Sequence, residues 1–125
     1  MKKIFKYTLL LLITYLVVQI FVYFLTKTYY KDMKNYDILV KSPKIEVTES
    51  KVAKNKGYIN GNITNDTDKM IKNLCIKFDF YNEQGKFLGA EYRREEIFNA
   101  SETIKFNIKY EYKNVSEIKI SVVKD

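Results

Sequence analysis

Apolar positions along the chain follow two different rules, one up to Thr26 and another from Pro43 onward. From Tyr7 to Thr26 they have no period. Twenty consecutive residues contain no Asp, Glu, Lys or Arg, and a helix built from them is apolar on every side. Such a helix rises about 30 Å, the thickness of a bilayer's hydrocarbon core. Gln19 is its one amide, and Thr8 and Thr14 can return their hydroxyls to helix carbonyls. A helix without a polar face must be surrounded, and the rest of a 125-residue chain is too small to wrap it. The pattern predicts a transmembrane α-helix over residues 7–26, with the lipid bilayer as its partner.

Lys2, Lys3 and Lys6 precede the run, as in a secretory signal. A cleaved signal, however, has an apolar core of roughly 7–15 residues and a small-residue cleavage site. Here Phe24-Leu25-Thr26-Lys27-Thr28-Tyr29-Tyr30 follows, and there is no Cys to carry a lipid. The expectation is an uncleaved signal anchor over residues 1–27. The leading lysines favour a cytoplasmic N-terminus, whereas Lys27, Lys31 and Lys34 oppose it, partly offset by Asp32. A short tail before the anchor and a domain after it point to a single-pass protein of the cell membrane, its domain extracytoplasmic. Tyr7, Tyr23, Tyr29 and Tyr30 lie where amphipathic rings settle at the membrane interface.

From Pro43 the period becomes two. Ile45, Val47 and Val52 mark a first strand, and Lys54-Asn55-Lys56-Gly57 a turn. Tyr58 to Thr64 is a second strand with Ile59, Gly61 and Ile63 on one side. Gly61 inside a strand implies close approach of a neighbour or a bulge. Asn65-Asp66-Thr67-Asp68-Lys69 is a turn cluster. In the third strand Leu74, Ile76, Phe78 and Phe80 share one face, and Cys75, Lys77, Asp79 and Tyr81 the other. Gly85 closes a hairpin into a fourth strand from Phe87 to Tyr92 or Glu95, and residues 97–101 form a connection. Ile104, Phe106, Ile108, Tyr110 and Tyr112 alternate in a fifth, and Ile118, Ile120 and Val122 in the last. About six to seven strands with regular turns predict an all-β antiparallel β-sandwich over residues 43–125. Residues 28–42 between anchor and domain read as a stalk, which Pro43 closes.

Composition then narrows the function. The formal charge is +7, of which three positive charges precede the anchor, leaving 7 − 3 = +4 beyond it. That suits a surface facing lipid headgroups, an envelope protein or an anionic wall polymer. Lys alternates with Glu and Asp, without the concentrated basic stripe of a nucleic-acid binder. Histidine is absent, which removes imidazole acids, bases and metal ligands together, and one Cys allows no internal disulfide.

The stretch from Gly61 to Asn82, with Gly85-Lys86, resembles the FxLYD family of small bacterial extracytoplasmic domains. Gly61-Asn62-Ile63-Thr64-Asn65 corresponds to its Gly-x-Val-x-Asn element and Phe78-Asp79-Phe80-Tyr81-Asn82 to its Phe-x-Leu-Tyr-Asp strand. Phe80 stands for the Leu and Asn82 for the Asp, each keeping the local role. Ile104-Lys105-Phe106 fits the family's later apolar strand. The resemblance covers about residues 44–123. It implies an immunoglobulin-like sandwich, often on a membrane anchor, with no catalytic residues and no cofactor.

Few side chains suggest chemistry. Asn65-Asp66-Thr67-Asp68 offers oxygens to Ca²⁺ but lacks the later Glu and the fixed Gly of an EF-hand loop, and reads as a plain turn. Glu95 and Glu96 are neighbours on one strand, and so are expected on opposite faces rather than across a cleft. Cys75 reads as a small, half-buried residue. Asn62, Asn65, Asn99 and Asn114 each begin an Asn-x-Ser/Thr triplet. Tyr81, Tyr92, Tyr110 and Tyr112 are the candidates for a partner surface. The functional expectation is a non-catalytic binding module or accessory subunit of a cell-envelope assembly. The alternative is a pilin-like or secretion-machinery subunit, although the processing Gly and early Glu of such helices are missing.

Overall fold

A computed structural model describes residues 2–27 and 29–123. The apolar run lies within one helix, α1 (Lys2–Thr26), whose described residues are all exposed. Its threonines turn inward on the backbone: Thr8 Oγ1 donates to Ile4 O (2.8 Å), Thr14 Oγ1 to Leu10 O (2.9 Å) and Thr26 Oγ1 to Val22 O (2.9 Å). Those hydroxyls are therefore satisfied within the helix, and Gln19 and the tyrosine hydroxyls are the other polar side-chain groups between Tyr7 and Thr26.

The remainder folds into eight strands: β1 (Lys31–Asp32), β2 (Tyr36–Ile38), β3 (Lys44–Val52), β4 (Gly57–Thr64), β5 (Ile71–Tyr81), β6 (Phe87–Phe98), β7 (Thr103–Tyr110) and β8 (Glu117–Val123). They form two four-stranded sheets, ordered β1-β3-β4-β7 and β2-β8-β5-β6. The pairs are antiparallel except β2 with β8. Alternation along each strand sends one apolar face inward. Ile59 and Ile63 of β4, Ile76, Phe78 and Phe80 of β5, and Ile118 and Ile120 of β8 are fully enclosed. Phe78 meets Phe106 at 5.3 Å between ring centroids, and Phe80 meets Tyr110 at 4.3 Å.

Three boundaries differ from the sequence reading. The stretch 28–42, expected to be a stalk, supplies β1 on the edge of one sheet and β2 on the edge of the other. Its Met33 is buried between them, 6% exposed. The segment straps one open side of the sandwich, which raises the strand count to eight and introduces the parallel pair. The fourth strand runs on to Phe98, so Ile97 belongs to a strand and not to a connection. The fifth ends at Tyr110, although the Tyr112 ring still packs on the core.

Gly61 occupies the crowded position its place in a strand implied. The β3–β4 register slips between Val47 and Glu49, opposite Gly61 and Asn60. A Cβ on Gly61 would fall on the Glu46 carbonyl oxygen and 2.6 Å from the Phe106 ring. At the β5–β6 turn, Asn82 Oδ1 accepts from Gln84 N (3.0 Å) and Lys86 N (2.9 Å). Gly85 takes φ 76° there, a region open to glycine.

Candidate functional site

The four tyrosines do not form one surface. Tyr110 points into the core and is 2% exposed. Its Oη donates to Lys51 O at 3.2 Å, and burial pushes its pKa up to about 12. Tyr112 lies beside it, 5.3 Å from the Phe80 ring, with its Oη 3.0 Å from Glu91 Oε1. Burial, and then the Glu91 carboxylate, raise its pKa. Both rings are structural.

Tyr81 and Tyr92 lie on the opposite side, the outer face of the β2-β8-β5-β6 sheet. Cross-strand register assembles this face: Lys77 stands opposite Tyr92 and Ser121, Asp79 opposite Ala90 and Lys119, and Tyr81 opposite Glu117. Phe87 joins Tyr81 edge-on at 5.8 Å and is half exposed. Lys119 Nζ stands 5.0 Å from the Tyr81 ring centroid, and the Arg94 guanidinium 5.4 Å from that of Tyr92. The Lys77 ammonium is 3.3 Å from Asp79 Oδ1, and that carboxylate raises the lysine's pKa. Aromatic rings flanked by cations of fixed position are suited to a partner with π faces or anionic groups. Phe87, Arg94 and Lys119 were not among the sequence candidates. Arg94 shares strand and parity with Tyr92, whereas Phe87 and Lys119 reach Tyr81 only through the pairing of β5 with β6 and β8.

The other candidates are placed as follows. Asn65 is fully enclosed, so its triplet offers no glycan site and its side chain no ligand to an ion. Its Nδ2 donates to Lys69 O (2.8 Å) and Phe98 O (3.0 Å), and its Oδ1 accepts from Thr67 N (3.1 Å) and Thr67 Oγ1 (2.6 Å). Asp66 accepts from Ser42 Oγ at 2.6 Å. Asn99 and Asn114 lie in exposed turns. Cys75 sits on the outer face between Arg94 and Val123 yet is 2% exposed, which closes its thiol to reagents in the folded chain.

Glu95 is half-buried and Glu96 exposed, the alternation expected of neighbours on opposite faces of β6. Both line one small cleft of about 240 Å³ with Asn73, Leu74 and Arg94. Asn73, between Lys72 and Leu74 in the β5–β6 ladder, has φ 54°. Glu95 is held by Arg93 at 3.2 Å. A wider cleft of about 450 Å³ between the β5 start and the β8 end is lined by Ile71, Leu74, Val122 and Pro43, with Lys72 its one ionisable group. Among the described residues, no three His, Cys, Asp or Glu converge as a metal site.

The buried phenol makes a pH prediction. Tyr110 ionises near pH 10 in the unfolded chain and near 12 when folded. A raised native pKa leaves stability intact below about pH 10 and removes it as pH rises towards about 12, by roughly 2–3 kcal/mol in all. Denaturation midpoints measured from pH 9 upward, about one unit below the unfolded value, should show that fall. Tyr110→Phe should flatten it, at a loss of about 1 kcal/mol at neutral pH for the missing bond to Lys51 O. An equal alkaline fall in the variant would contradict this role for the ring.

A scan of protein-family models found no match to this chain. A search of curated proteins found none either.

Proposed function

We propose that this protein is a single-pass membrane protein whose FxLYD-like, immunoglobulin-like sandwich acts without catalysis on the extracytoplasmic side, as a binding module or accessory subunit of an envelope assembly. The observation that carries the reading is α1: a helix of 25 residues whose run from Tyr7 to Thr26 is uncharged on all sides and, among the described residues, is covered by nothing. The hydrocarbon core of a bilayer covers such a surface without exposing it to water.

The strand order supports the immunoglobulin-like part. Hairpins β3–β4 and β5–β6 lie in different sheets, β7 returns to β4, and β8 returns to β5. Motif residues shared with the FxLYD pattern have structural work here. Gly61 admits a crossing carbonyl, Phe78 and Phe80 fill the core, and Asn65 and Asn82 hold turns. The partner, an envelope protein or an anionic wall polymer, would meet the outer face carrying Tyr81, Phe87, Tyr92, Arg94 and Lys119.

Fractionation tests the anchor. The full chain should stay with membranes through an alkaline carbonate wash, and external protease should digest the domain on intact cells stripped of wall. Leu16→Lys with Val17→Lys, at the helix centre, should release it, because each lysine there disfavours insertion by about 2.5–3.5 kcal/mol. Release of the unaltered chain by carbonate would end this reading.

A further inference from the structure

The two ends of the sandwich differ in charge, and the end joined to α1 is the basic one. β1 pairs with the last residues of β3, Lys31 with Val52 and Asp32 with Lys51. The helix therefore enters at the end that carries the β3–β4, β5–β6 and β7–β8 turns. These turns touch one another: Asn114 N donates to Lys54 O (3.0 Å), and Ser116 N donates to Tyr81 O (2.8 Å). Leu25, Thr26, Lys27 and Tyr29 share a cleft of about 420 Å³ with Ala53, Lys54, Asn55 and Lys56.

Residue 27 and the turns 53–56, 82–86 and 111–116 contain Lys27, Lys54, Lys56, Lys86 and Lys113 against Glu83 and Glu111, or 5 − 2 = +3. The connections at the far end, 39–43, 65–70 and 99–102, contain Lys41 and Lys69 against Asp66, Asp68 and Glu102, or 2 − 3 = −1. The five lysines of the near end are exposed. Among the described residues none of the five is in an ion pair, whereas Lys44, Lys51, Lys77 and Lys119 on the strands each are. Exposed aromatics join them: Tyr29 at 61%, Tyr30 at 40% and Phe87 at 51%.

We infer that this end of the sandwich docks on the anionic headgroups of the bilayer that holds α1, through Lys54, Lys56, Lys86 and Lys113 with Lys27 at the helix end. The inference rests on the membrane reading above. The tether makes the contact hard to avoid. Five residue steps from Thr26 to Lys31 reach at most about 18 Å, and unscreened attraction extends about 8–10 Å from a charged surface. A domain on so short a leash presents one end or a flank to the lipid, and lipid phosphates select the cationic end. Tyr29 and Tyr30 then lie at interface depth, where such rings are favoured. Docked this way, the domain stands upright and its sheet faces remain open to a partner.

Lysine acylation of the full-length chain in lipid nanodiscs tests this, with rates read residue by residue from peptide maps. One disc is phosphatidylcholine alone and the other contains phosphatidylglycerol. At low ionic strength Lys54, Lys56, Lys86 and Lys113 should react about fivefold more slowly in the anionic disc, and high salt should abolish the difference. Lys41 and Lys69 should react equally in both. Lys54→Glu with Lys56→Glu should also release Lys86 and Lys113 from protection, and Lys86→Glu with Lys113→Glu should release Lys54 and Lys56. Equal rates in both lipids, in a chain that stays in the disc, overturn the docking and leave the anchor standing. Failure to incorporate into either disc overturns both.

Discussion

Replacing Asn65 with Ala should lower the unfolding free energy by about 2–4 kcal/mol. The side chain is fully enclosed and makes four hydrogen bonds, two from its amide nitrogen and two to its oxygen. Its backbone is engaged as well: Asn65 N donates to Glu102 O and Ser101 N donates to Asn65 O, both at 2.9 Å. One residue thus ties the β4–β5 turn to the end of β6 and the start of β7. An alanine removes the buried donor to the Phe98 carbonyl together with the three other bonds of the side chain. Asn65→Asp makes a sharper case. A carboxylate oxygen would face the carbonyls of Lys69 and Phe98 in place of the amide donor, and desolvation would raise its native pKa above the unfolded value of about 3.9. The variant's relative stability is then greatest below about pH 4 and is lost as pH rises through the raised native value. Chemical denaturation of the full chain in detergent, followed by tyrosine fluorescence, measures both. An Asn65→Ala midpoint equal to the parent's would show that the turn does not depend on the amide.

Gly61→Ala should destabilise the sandwich by about 2–3 kcal/mol, although its backbone is in an ordinary extended region. The obstacle is space. The new methyl would meet the Glu46 carbonyl oxygen, which is main chain of the paired strand β3. Relief requires β3 and β4 to separate beside the slip at Val47 and Glu49, and the Phe106 ring closes the other side. Gly85→Ala is the contrasting case. No atom lies within 4 Å of its Cβ position, but φ is 76°. Its cost is only the left-handed backbone, about 1–2 kcal/mol. A Gly61→Ala loss smaller than that of Gly85→Ala would refute close strand approach as the reason for the glycine.

The tyrosines show how much of a surface can be read from a strand's own pattern. Tyr110 and Tyr112 share the parity of Ile104, Phe106 and Ile108, so their place among the core rings was legible. Tyr81 has the parity of Lys77 and Asp79, and its outward direction was legible too. Its neighbour Lys119 was not, since it arrives from β8 by pairing. Glu95 and Glu96 were expected on opposite faces by the same rule. Their exposure alternates along β6 as that rule requires.

Period is a local property, carried by neighbours two to four residues apart. The long apolar helix, the two-faced strands, their turns and the crowded glycine therefore stand in the amino-acid order itself. Partners distant in the chain leave no such local trace. The three residues of β2 become a strand only because β8, some 80 positions later, offers an open parallel edge. Asn65 becomes a buried anchor only because Phe98, Ser101 and Glu102 converge on it. The basic end likewise exists only where three separate turns meet beside the helix. Each of these depends on contacts that chain closure creates, and closure is settled by how the whole apolar surface is buried at once.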